Sequence, residues 1–82
     1  MTERYEFSGF GFEAAPDPNN PARLRVLVFR QGQPFADMHG AQMEKQFPAS
    51  AGAARVEQFC RRFATDDAFR TGLLLKHAFA CC

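Results

Sequence analysis

Asp37 and His39 stand one residue apart, the one carboxylate–histidine pair at a spacing that could orient a general base. On a strand, residues i and i+2 share a face, so the two side chains would work on the same substrate. No activated nucleophile and no glycine-rich phosphate cradle lies near them in sequence. Surface charge beside a turn is therefore the expected role, and no catalytic residue is assigned. A second set of reactive groups comprises Cys60, His77, Cys81 and Cys82, whose thiolates and imidazole suit zinc. His77 and Cys81 are i, i+4 on a helical reading, and Cys60 could face them from a neighbouring helix. The four lack the paired spacings of zinc modules, and Cys60 fits an apolar stripe as a small hydrophobe. No metal and no cofactor is expected. A disulfide from Cys60 to Cys81 or Cys82 would require an oxidising compartment. Three cysteines without framework spacing fit a reducing cytoplasm better.

The arginines form the third group. Arg23, Arg25 and Arg30 flank one apolar run, and Arg55, Arg61 and Arg62 lie in the first helical segment, with Arg70 in the second. If they converge, they make a phosphate-binding face. They are interleaved with Glu57, Asp66 and Asp67, the pattern of a solvated surface. Ten basic and nine acidic residues leave a net charge of +1, so no global field draws the chain to polyanions. Nucleic-acid binding through these arginines is the second functional reading.

Gly9-Phe10-Gly11-Phe12 resembles the centre of the RNA-recognition signature, in which exposed aromatics stack on bases. The match ends there: Ser8 stands for the basic residue, Glu13 for the aliphatic one and Ala15 for the last aromatic. The strand–helix–strand unit that precedes this signature also has no room ahead of Gly9. Phe10 and Phe12 are expected to be core or interface aromatics. The terminal Cys81-Cys82 resembles the prenylation tail of Rab-type small GTPases, without the phosphate-binding loop that would accompany it.

These groups must be positioned by few elements, since 82 residues lie near the size at which one core is self-sufficient. Residues 4–13 read as an aromatic strand. Tyr5 and Phe7 differ in parity from Phe10 and Phe12, and a bulge at Ser8-Gly9 would restore one aromatic face. Residues 14–22, with three prolines, read as a long exposed connection. Residues 23–31 read as a central strand, apolar on both faces through Val26-Leu27-Val28-Phe29. After a turn at Gln31 to Pro34, residues 35–45 are assigned to a third strand, although Ala41 to Phe47 also contains good helix formers. Ser50 can cap a helix over 50–64, in which Val56, Phe59, Cys60 and Phe63 keep an i, i+3, i+4, i+7 stripe. Glu57 and Arg61 are placed for an i, i+4 pair. Thr65-Asp66-Asp67 breaks this helix and caps a second one over 67–80. That helix carries Phe69, Leu73, Leu74, Leu75, Ala78 and Phe79 around most of its circumference.

The expected fold is one α+β domain, a three-stranded antiparallel meander followed by two helices on one face. The charged first six residues offer no signal peptide, no apolar run is long enough to span a bilayer, and a cytoplasmic location is expected. Ten phenylalanines in so short a chain leave more apolar surface than two helices and a sheet should hide. The leading functional reading is a non-enzymatic interaction module that docks on a protein partner, with a homodimer as one form of this. The expected contacts are Phe69, Leu74, Lys76 and Phe79 from the last helix, or the sheet face bearing Phe10 and Phe12. Size and make-up are similar to those of small phage or mobile-element inhibitors such as anti-CRISPR proteins, a likeness that no motif carries.

Overall fold

Ser8 and Gly9 both take positive φ, 49° and 85°. Two consecutive left-handed residues close a tight hairpin, so the chain reverses where a bulged single strand was expected. The structure, a computed structural model, describes residues 2–36 and 39–80, with no side-chain description for 77–80. Strand β1 (Glu3–Phe7) pairs antiparallel with β2 (Phe10–Asp17), Phe7 opposite Phe10 and Tyr5 opposite Phe12. Cross-strand partners share a face, so all four aromatics do reach one side of the sheet, through reversal instead of a bulge.

The proline-rich stretch is not a long connection. β2 runs to Asp17 and β3 (Asn20–Arg30) starts at once, with Asp17 opposite Asn20. Asp17 Oδ1 accepts the Asn19 amide at 2.8 Å, which closes the turn. Pro16 is tolerated because β1 reaches only Ala14, and beyond it β2 has a free edge where a missing N–H leaves no gap in a ladder. Gln31 and Gly32 repeat the positive-φ hairpin at 52° and 79°.

The expected strand over 35–45 is broken in two. β4 (Gln33–Pro34) pairs with the end of β3, the chain then leaves the sheet, and β5 (Glu44–Pro48) rejoins the same edge of β3. The excursion is closed by the Met43 amide on the Phe35 carbonyl at 2.7 Å and the Val28 amide on the Met43 carbonyl at 3.0 Å. His39 sits in its turn, and Asp37 lies outside the described residues. The sheet order is β1-β2-β3, with β4 and β5 both on the far side of β3. The α+β class stands, with five strand segments in place of three.

Helix α1 spans Ala53–Thr65 and starts at Gly52, with no side-chain cap, instead of at Ser50. It buries Val56, Phe59, Cys60, Phe63 and Ala64, an apolar stripe facing the sheet. Asp66 ends α1 by donating its amide to the Arg62 carbonyl at 2.8 Å and starts α2 (Asp67–Ala80) by accepting the Phe69 amide at 3.0 Å. Phe63 lies at the centre of the core, its ring edge-on to Phe10, Phe12 and Phe35 at 5.6, 5.8 and 6.0 Å. Among the described residues no helix is long and apolar enough to cross a membrane.

Candidate functional site

Phe10 and Phe12 are 5% and 0% exposed, enclosed between sheet and helices. Neither presents surface to a partner, because the hairpin turns both toward α1. The opposite sheet face carries no helix and is largely polar. Arg4 pairs with Glu13 at 2.7 Å, Arg25 lies 3.7 Å from Glu44, and Arg23 donates to Gln46 at 2.9 Å. Gln46 in turn donates to Asp17 at 3.0 Å. Phe29 stands on this face directly across from Gly11 and covers the gap that a residue without a side chain leaves. Charged rows of this kind make a solvated outer surface.

The arginines do not converge. Arg23 and Arg25 belong to the outer sheet face, Arg30 lies over Phe10 at 5.2 Å, and Arg61 lies over Phe7 at 4.9 Å on the β1 side of α1. Arg61 also reaches Glu57 at 3.9 Å, the i, i+4 pair expected from spacing. Arg55 and Arg62 take the other flank of α1, over Phe47 at 5.7 Å and Phe69 at 4.2 Å. Each such cation–ring contact is worth roughly 0.5–1 kcal/mol at an exposed site. The arginines therefore close the rims of a phenylalanine core instead of forming one polyanion groove.

Arg70, grouped in the sequence with the arginines of a candidate phosphate-binding face, instead ties α2 down. Its guanidinium donates to the carbonyls of Phe63 at 2.8 Å and Ala64 at 3.3 Å, pairs with Asp67 and lies 5.0 Å from the Phe10 ring centre. A cation on the last carbonyls of α1 is well placed against the helix dipole. Nothing in the spacing around Arg70 signals this, because the contact depends on the bend at Asp66.

Helix α2 is otherwise lightly held. From Asp67 to Lys76 no residue is fully buried. Phe69, Leu73 and Leu74 pack only partly against the core, Lys76 is exposed, and Leu75 is 44% exposed. Leu75 is the only large hydrophobic residue so exposed among the described residues. The side chain of Phe79 lies outside the described residues.

Between α2, α1 and the edge strand β5 runs an open groove of about 390 Å³, lined by Phe47, Arg55, Gln58, Phe59, Arg62 and Phe69. The rings come from three elements. Phe59 meets Phe47 at 5.6 Å and Phe69 at 6.1 Å, and the Lys45 ammonium stands 5.8 Å from the Phe47 ring centre. Among the described residues no carboxylate lines this groove. Of its residues the sequence marks Phe69 alone for a partner, and Arg55 and Arg62 for nucleic acid.

Among the described residues Tyr5 and Cys60 titrate unusually, and neither lies in the groove. The Tyr5 hydroxyl donates to Glu3 at 2.7 Å, and that bond, then burial and the carboxylate charge, push its pKa up to about 12. Burial pushes the Cys60 thiol up to about 12, the behaviour of a core side chain and not of a nucleophile. His77 at side-chain level, Cys81 and Cys82 lie outside the described residues. Comparison with protein-family models, curated proteins and solved structures finds no match to this chain.

Proposed function

We propose that the protein is a non-enzymatic interaction module that docks on a macromolecular partner through α2 and the groove beside it. The observation that carries this reading is the state of α2: an apolar helix with no fully buried residue from Asp67 to Lys76, on a chain whose other apolar side chains are largely enclosed. Helices of such composition gain stability by covering their remaining face, and small proteins of this size benefit most from a partner. The dispersal of the arginines makes a nucleic-acid ligand the weaker reading.

Affinity capture from the source cells tests the proposal. Wild type should retain one stoichiometric protein, Leu75→Glu should lose it, and Glu6→Lys on the open sheet face should keep it. Retention by Leu75→Glu, or no retained species from a chain that light scattering shows to be monomeric, removes the docking account. A partner of stoichiometric mass equal to the chain itself assigns a homodimer. If genes flanking the coding sequence belong to phage or mobile elements, the partner is a host defence component and the module an inhibitor of the anti-CRISPR kind.

A further inference from the structure

We infer that the groove between β5, α1 and α2 receives an acidic, extended segment of a protein partner, its carboxylates on Arg55 and Arg62 and an apolar side chain between them. This rests on the docking reading above and names the chemistry of the occupant. Three cationic groups stand over two phenylalanine rings, Lys45 and Arg55 over Phe47 and Arg62 over Phe69. Arg55 has no ion pair among the described residues. Asp66 approaches Arg62 through Nε alone at 3.7 Å, and the Arg62 side chain is 61% exposed. The unbalanced positive charge calls for an anionic ligand.

The rings decide which anion. Single-stranded nucleic acid needs open aromatic faces on which to stack its bases. Here Phe47 is 5% and Phe59 9% exposed, and the cations lie over Phe47 and Phe69. A guanidinium stacked on a ring is held in one plane with its N–H fork at the edge, a geometry suited to bidentate carboxylate binding. Arg55 and Arg62 are two helical turns apart, and about 1.5 Å of rise per residue separates them by about 10 Å. A peptide extended as a polyproline II helix, with three residues per turn and about 3.1 Å of rise each, covers that distance in three residues and brings residues i and i+3 to the same side. The fitting segment therefore carries acidic residues three apart, with a leucine or phenylalanine between them for the space beside Phe59 and Phe69.

Fluorescence anisotropy tests this with the full chain and a labelled synthetic peptide in which two glutamates three residues apart enclose a leucine. Binding should weaken at least fivefold in Arg55→Gln and in Arg62→Gln, and by less than twofold in Arg61→Gln, which removes the same charge from the other flank of α1. Arg55→Lys and Arg62→Lys, which keep charge and helix propensity but lose the fork, should fall between wild type and the glutamine variants. Replacing the peptide glutamates by glutamine should abolish binding. No binding at millimolar peptide, an equal loss in Arg61→Gln, or tighter binding of a single-stranded oligonucleotide of the same charge each overturns the inference. Capture of a partner that depends on Leu75, together with a failed peptide titration, would remove this inference and leave the docking reading standing.

Discussion

The two helices teach opposite lessons about apolar sequence. α1 is the more polar helix, yet its Val56, Phe59, Cys60, Phe63 and Ala64 fall on one stripe and are all buried. α2 is the more apolar, yet its large side chains are spread around the axis and none from Asp67 to Lys76 is enclosed. Segregation, and not amount, decides which helix a small sheet can seal, because one sheet face offers one contact surface. The residue that joins the two regimes is Arg70, whose charge holds the start of α2 to the end of α1 where packing alone does not.

The contrast is broken most forcefully inside α1. Phe63→Ala removes the ring at the centre of the edge-on aromatic cluster and should cost about 3–5 kcal/mol, read as the shift in urea midpoint. Arg70→Ala should cost about 1.5–3 kcal/mol, since it strips a charged donor from two helix-end carbonyls. Its loss should also speed amide exchange in α2 while leaving α1 slow, which separates loosening of one helix from global unfolding.

Alkaline pH sharpens the comparison from the α1 side. The Cys60 thiol is raised from 9.0 to about 12 in the folded chain. Between those values the unfolded chain has released the proton that the folded chain still holds, so stability falls as pH rises. Below pH 9 the contribution is fully present. Cys60→Ala should flatten this slope relative to wild type in urea titrations at stepped pH, and an unchanged slope would contradict burial of the thiol. Tyr5, the one tyrosine in a chain without tryptophan, adds a slope of the same sign from its ordinary 10.0 to about 12. Phenolate absorbance should show that upward shift and show it reduced in Glu3→Gln. The smallest effect is on the exposed side of α2: Leu75→Glu should change stability by no more than about 0.5 kcal/mol, as surface changes do.

Much of this architecture was legible from local pattern. The α1 stripe and the break at Asp66 follow from periodicity and capping chemistry that neighbouring residues carry among themselves. The first hairpin is hidden in the sequence because its turn places Ser8, a residue with a side chain, at positive φ, where glycine is the usual occupant. Pro16 looks like a strand breaker until the short reach of β1 is known. The division into β4 and β5 rests on hydrogen bonds among Val28, Phe35 and Met43, contacts that no local spacing encodes. The groove was illegible for the same reason, since Phe47, Phe59 and Phe69 belong to three elements and meet only after folding.

Photo-crosslinking in the source cells compares the two helices most directly, with benzoylphenylalanine placed at Leu75 on α2 or at Glu57 on the exposed side of α1. The account predicts one discrete adduct from the α2 position and none from the α1 position. Equal labelling from both, or none from α2 under conditions where the protein is folded and expressed, would contradict α2 as the docking surface.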